Sequence, residues 1–253
     1  MGTEIDGYLT EWYGELNPEV CMAPEHYCQR VAEFEAQPIC ENAVVLLGDS
    51  LTEFADWNHL LQGQILNRGI AGDMIEGMTL RLDELVRHTP SKIFLMAGCN
   101  NFVKHPSITV AQVWSAYCKL LAALAETLPS AKIFVAGTLP LNPVSGDYYE
   151  GINRKILDLN TLLRNHSYPD KGSVVSKGGP ELTADSGCNE AHCVHSGCFD
   201  SSAEQSGCVE YLFYDVAPEL SDSRGFLRAD LTIDGCHLNS AGYRIWASRI
   251  ISL

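Results

Sequence analysis

The stretch Val44-Val45-Leu46-Leu47-Gly48-Asp49-Ser50-Leu51-Thr52-Glu53 decides the fold. Its apolar start, extended back to Ala43, is the continuous run expected of a strand buried on both faces, and Gly48 breaks it into a polar turn. Four more short β-type runs follow at intervals: Ile65 to Asn67, Lys92 to Ala97, Lys132 to Ala136 and Glu210 to Tyr214. Amphipathic helical patterns separate them at Met74 to Val86, Val110 to Leu128 and Ile152 to Leu163. A further helix, His26 to Gln37, precedes Pro38, and another, Ser240 to Ile251, closes the chain. This alternation with short connections predicts the α/β class: a single-domain, flavodoxin-like three-layer sandwich around a central parallel sheet of about five strands. No internal repeat is found.

Composition agrees with that reading. The 253 residues are 46% hydrophobic and 19% charged, with 4 Trp, 10 Tyr and 8 Phe, enough apolar material for a sizeable core. Acidic residues outnumber basic ones by 32 to 17, and the net charge of -15 repels phosphate backbones, so nucleic acid is not an expected partner. No run approaches the ~20 apolar residues of a membrane span. Residues 1–42 read as an N-terminal arm and helix and residues 43–253 as the α/β domain, interrupted at about 167–208 by a segment rich in Gly, Ser, Asp, Glu and Cys. The start Met1-Gly2-Thr3-Glu4-Ile5-Asp6 lacks a basic n-region and an apolar h-region, which predicts a cytoplasmic protein. Ten cysteines would equally suit an oxidising compartment, and a secreted chain trimmed of its signal would read the same.

In a doubly wound sheet, reactive groups collect at the carboxyl ends of central strands, which is where Ser50 falls. Ser50 is also a candidate helix N-cap, with Glu53 three residues on completing a capping box. Near the C-terminus, Asp234-Gly235-Cys236-His237-Leu238 sets a carboxylate three residues ahead of an imidazole. Such a carboxylate can hold one ring nitrogen and leave the other to take a serine's proton, although an isolated pair of this spacing is often a plain loop acid and a helix-start histidine. Two more turns follow predicted strands: Asn67-Arg68-Gly69-Ile70-Ala71-Gly72-Asp73 and Gly98-Cys99-Asn100-Asn101. The Gly72 N–H and the Asn100 amide are fixed donors of the kind an oxyanion hole uses, and they are also ordinary turn residues.

Taken in order, the blocks Gly48-Asp49-Ser50-Leu51, Gly69-Ile70-Ala71-Gly72-Asp73, Gly98-Cys99-Asn100-Asn101 and Asp234-Gly235-Cys236-His237-Leu238 resemble the four blocks of the SGNH, or GDSL, hydrolases. The resemblance implies Ser50 as nucleophile and His237 as base, oriented by Asp234. It also implies an oxyanion hole formed by the Ser50 N–H, Gly72 and Asn100. The G-x-S-x-G signature of α/β-hydrolases is absent, because Asp49 precedes the serine and Thr52 follows Leu51. Many members carry an aspartate where Asn101 stands. The G-x-N-N form is similar to that of the platelet-activating-factor acetylhydrolase-like esterase branch, which implies a serine esterase acting on short, acetyl-type carboxylic esters. A thioesterase or acyltransferase on the same triad, or an inactive carbohydrate-binding relative, are the alternatives. No cofactor is implied. The expected partner is a small-molecule ester, and a homo-oligomer is left open.

Asp49 is expected to brace the turn through hydrogen bonds, and Cys99 and Cys236 to be packing thiols. Within the interrupting segment, Cys188, Cys193, Cys198 and Cys208 lie around His192 and His195. Their spacing lacks a tight C-x-x-C knuckle, so no metal site is assigned and disulfide staples, zinc ligation or free thiols remain the readings. The segment joins the fourth strand's connection to the fifth, and whether it covers the pocket or stands apart is open.

Overall fold

The computed structural model describes residues 24–143, 147–168 and 209–253. The interrupting segment's four cysteines and two histidines therefore lie outside the described residues.

The decisive stretch forms β1 (Val44–Gly48), buried but for its first residue. It pairs in parallel with β2 (Ile65–Gly69) on one side and β3 (Lys92–Met96) on the other, with Gly48 opposite both Gly69 and Met96. Next come β4 (Lys132–Ala136) and β5 (Leu212–Tyr214), giving a five-stranded, all-parallel sheet in the order β2-β1-β3-β4-β5. That is the flavodoxin-like order, with the sequence reversing direction between β1 and β3.

Period-two alternation divides the core. Val45, Leu47, Ile93, Leu95, Ile133 and Val135 face one layer, formed by α7 (Val110–Thr127) and α8 (Asp147–Asn165). Leu46, Phe94, Phe134 and Tyr214 face the other, where Trp57 and Trp246 meet edge to face, Trp246 lying on α10 (Ser240–Ile251). The N-cap Thr109 and Gln112 close a capping box on α7, and Asn239 caps α10 by accepting from Ala241 and Gly242. Among the described residues, no helix is long and apolar enough to cross a membrane.

The remaining helices are short: α2 (Ser50–Glu53), α3 (Trp57–Leu61), α4 (Ile75–Thr79), α5 (Asp83–Val86), α6 (Cys99–Lys104) and α9 (Ala217–Leu220). The single helix expected over Met74 to Val86 is thus two. The break has a tertiary cause. Arg81 turns inward, its Nε donating to Asp73 Oδ2 at 3.0 Å and its Nη2 to the Gly48 carbonyl at 3.1 Å, while its own N–H bonds the Met78 carbonyl three residues back. The fifth strand is two residues shorter at its start than expected, and the second runs on to Gly69.

The first helix of the described residues, α1 (Pro24–Ala36), lies against the turn after β2. Tyr27 and Phe34 pack with Ile70 and Met74, and the Tyr27 hydroxyl donates to the Gly77 carbonyl at 2.7 Å.

Candidate active site

The turns after β1, β2 and β3 emerge on one edge of the sheet, so residues far apart in sequence meet there. At Gly69, an added Cβ would lie 2.1 Å from the Glu53 nitrogen, so only glycine lets α2 rest directly on the end of β2. Asp49 caps α2, its Oδ1 accepting from the Leu51 N–H at 3.0 Å. The cap is therefore Asp49 and not Ser50, which leaves the Ser50 hydroxyl available for other contacts. Burial pushes the Asp49 carboxyl up to about 6, against the opposing pull of the Leu51 N–H and of the nearby His237 and Lys104.

Ser50 Oγ lies 2.8 Å from His237 Nε2, and His237 Nδ1 lies 2.6 Å from Asp234 Oδ2. Asp234 Oδ1 also accepts from the Cys236 and His237 N–H groups at 2.9 and 2.7 Å. Partial burial raises the Asp234 carboxyl, but the hydrogen bonds from the His237 ring and the two N–H groups outweigh it and hold the acid below its ordinary range. An ionised Asp234 fixes the proton on Nδ1, so Nε2 is the acceptor for the serine hydroxyl. Phe54 sits against the imidazole, ring centroids 5.2 Å apart.

Gly72 adopts a left-handed φ of 79° in the turn after β2, and its carbonyl accepts from Lys104 Nζ at 2.5 Å. Asn100, on the first turn of α6, directs Nδ2 to the Asp73 carbonyl at 2.9 Å, with Asp49 Oδ2 at 3.5 Å. Asn100 thus stands between the residue after Gly72 and the residue before Ser50. Asn101 is fully buried, accepting from the Ile75 N–H at 3.3 Å and donating to Glu76 Oε2 at 2.8 Å. That donation explains the amide, since an aspartate there would set a second carboxylate against Glu76.

Two features were not read from the sequence. Glu53 braces the Gly72 turn: its Oε2 accepts from the Ala71 N–H at 2.5 Å and meets His26 Nε2 at 3.1 Å, while Oε1 meets Arg30 Nε at 3.3 Å. The i,i+4 spacing of His26 and Arg30 puts both on one edge of α1, but nothing local names a partner 27 residues away. The second feature is that Cys99 and Cys236 belong to one core layer, Cys99 buried within it and Cys236 packed against it.

A cavity of about 580 Å3 near α8 and the 221–226 loop includes none of these residues; its arginines 164 and 224 are paired with Asp215 and Asp222. Side-chain chemistry, and not volume, therefore locates the candidate site.

The sheet order is that of an α/β flavodoxin-like fold, and it sets Ser50 beside His237 and Asp234 at the end of β1. The sequence matches the GDSL-like Lipase/Acylhydrolase family over residues 46–186, and the chain belongs to that family as a carboxylic ester hydrolase. Its fold is similar to that of a protein from Streptococcus pneumonia provisionally named a platelet activating factor. That match has a TM-score of 0.62 and 20% identity, and covers 90% of this chain and 92% of the other. A GDSL-like lipase from Bacteroides thetaiotaomicron superposes with a TM-score of 0.59 and 16% identity, covering 89% of this chain and 95% of that one. No curated protein matches.

Proposed function

We propose that the chain is a serine esterase that hydrolyses short-chain, acetyl-type carboxylic esters through an acyl-enzyme on Ser50. The observation that carries the reading is the continuous relay from Ser50 Oγ to His237 Nε2 at 2.8 Å and from His237 Nδ1 to Asp234 at 2.6 Å.

In this reading, Nε2 takes the serine proton as Oγ attacks the ester carbonyl, and Asp234 stabilises the imidazolium that results. The carbonyl oxygen, now an alkoxide, is received by the N–H groups of Ser50 and Gly72 and by Asn100 Nδ2. Asn100 has two amide hydrogens. One is spent on the Asp73 carbonyl, and the other meets only the long 3.5 Å approach to Asp49, so it is the donor assigned to the oxyanion. The His237 Nε2 proton then passes to the leaving alcohol. Water, deprotonated by the same nitrogen, releases the acid. These steps ask for no metal or organic cofactor.

The acetyl preference is supported by the G-x-N-N form of the third block. A fluorophosphonate tests the mechanism: adduct on Ser50, found by peptide mass spectrometry, is expected, and an unlabelled Ser50 in folded protein would refute it. A p-nitrophenyl ester series tests the chain length, with kcat/KM expected to fall as the acyl group grows. A rise with length would assign longer acyl groups.

A further inference from the structure

An ester has two halves, and the half that departs has to meet the nitrogen that protonates it. Phe54 stands beside that nitrogen. It follows α2 directly, keeps helical angles (φ -78°, ψ -5°) and donates its N–H to the Ser50 carbonyl at 3.0 Å. Residues four apart on a helix share a face, so the Phe54 and Ser50 side chains are neighbours. The Phe54 ring lies 5.2 Å from the His237 imidazole, centroid to centroid, at an interplanar angle of 51°. His237 Nε2 is in turn 2.8 Å from Ser50 Oγ. Hydroxyl, imidazole and phenyl ring therefore border one space. Phe54 is nevertheless 50% exposed, so burial in the core does not account for a large apolar ring at this place.

We infer that Phe54 forms a leaving-group subsite, and that the alcohol it takes is a neutral, apolar alkyl or aryl alcohol. This rests on the esterase reading. In that reading the alkoxy oxygen comes within hydrogen-bond reach of Nε2 and receives its proton as the C–O bond breaks. The carbonyl oxygen is drawn elsewhere, to the Ser50 and Gly72 N–H groups and Asn100. The carbon skeleton borne by the alkoxy oxygen thus extends from Nε2 along the imidazole, and the Phe54 ring is the surface it meets.

The chemistry of the surroundings sets the class of alcohol. A phenyl ring offers dispersion and aromatic contact and little hydrogen bonding, which suits an apolar group better than the hydroxyls of a sugar. The exposed Ile233, next to Asp234, adds a second apolar side chain on the loop that carries His237. An anionic alcohol is repelled by the Asp234 carboxylate and by the net charge of -15. A cationic one finds that carboxylate already engaged by the His237 ring and by the Cys236 and His237 N–H groups.

The test compares the parent with Phe54→Ala on methyl, butyl and phenyl acetate, acetylcholine and acetylated xylose. Phe54→Ala is expected to lower kcat/KM about tenfold more for butyl and phenyl acetate than for methyl acetate, and Phe54→Tyr to recover most of that selectivity. Should the alanine variant not fold, Phe54→Gln, which keeps bulk without the ring, is expected to show the same change. An equal loss on methyl, butyl and phenyl acetate would make Phe54 a positioning group for His237 and overturn the subsite. A loss that grows from methyl acetate to methyl hexanoate would put the ring on the acyl side and also overturn it. A larger loss for acetylcholine or acetylated xylose than for butyl acetate would overturn the apolar class. A parent that hydrolyses none of these esters refutes the esterase reading and the subsite with it, whereas an active parent with an unselective variant refutes the subsite alone.

Discussion

Ser50 is held at the end of β1 by the sheet, whereas Asp234 and His237 stand on a loop that carries its own scaffold. Ser50 is 8% exposed, between the buried Asp49 and the buried Leu51. Around His237, the bonds are local. The Ile233 N–H and the Thr232 hydroxyl both donate to the His237 carbonyl, the Gly235 N–H donates to Thr232 Oγ1, and Thr232 bridges Leu238. The Asp234 side chain is 48% exposed. One half of the site is positioned by burial spread over many residues, and the other by a few polar groups in one short loop. The position of Ser50 should therefore survive most local substitutions, and the orientation of His237 should not.

The predictions bear on that contrast, beginning with the largest effect. Ser50→Ala should lower kcat by about a thousandfold or more while leaving the urea unfolding midpoint in place, because only a hydroxyl at a strand end is removed. Residual turnover within about tenfold of the parent would refute the nucleophile. Asp234→Asn should lower kcat by about 10³-fold, since an amide nitrogen facing Nδ1 favours the wrong tautomer. Here circular dichroism should be unchanged, and full activity would show that the loop does not depend on this carboxylate.

Asn100→Ala is expected to reduce kcat by about a hundredfold with little change in KM, as befits a donor that acts only on developing charge. A change confined to KM would make Asn100 a substrate-binding group. Glu53→Gln should have a smaller effect, about tenfold on kcat, through the Ala71 N–H and hence the Gly72 turn, with Glu53→Asp recovering part of it. If Glu53→Gln shifts only the unfolding midpoint, the bracing is structural alone.

Asp49 gives the pH test of the buried half. Burial raises its carboxyl to about 6 in the folded chain. Its contribution to stability is then fully present below the ordinary carboxylate pKa of ~3.9 and is lost as pH rises through about 6. Two pKa units correspond to about 3 kcal/mol as an upper bound. Measured by urea denaturation, the stability of Asp49→Asn relative to the parent should rise between pH 4 and pH 7, and parallel pH profiles would contradict a buried, strained charge.

What the sequence revealed follows the range of the forces involved. The bounds of β4 and of α10 coincide with those read from pattern, because an apolar run between Lys132 and Gly137 and a cap at Asn239 are local signals. The sheet order was likewise legible from the alternation of elements. The short helices α2, α3, α6 and α9 were not, since four to six residues carry too little periodicity. The break after α4 depends on Arg81 finding Asp73 and the Gly48 carbonyl, partners that only the fold supplies. The same applies to the candidate site: the four blocks singled out Ser50, Gly72, Asn100, Asp234 and His237 as candidates, whereas the contacts of Glu53 with His26, Arg30 and the Ala71 N–H depend on encounters between distant segments. Asp49 was recognised as a brace, and the capping role lies with it because its short carboxylate reaches the Leu51 N–H while Ser50 faces His237.

The packing of α1 on the turn after β2 bears on where an expression boundary can be drawn. The family match begins at residue 46, ten residues beyond the last residue of α1. A version of the protein cut at that limit would lack Tyr27 and Phe34, and Ile70 and Met74 would face water on either side of Gly72. Exposing each of those two side chains forfeits about 1.5–3 kcal/mol. It would also remove the His26 ring and the Arg30 guanidinium from Glu53 and leave that carboxylate alone on the Ala71 N–H. Any shortened form intended for crystallisation or assay should therefore begin ahead of Pro24.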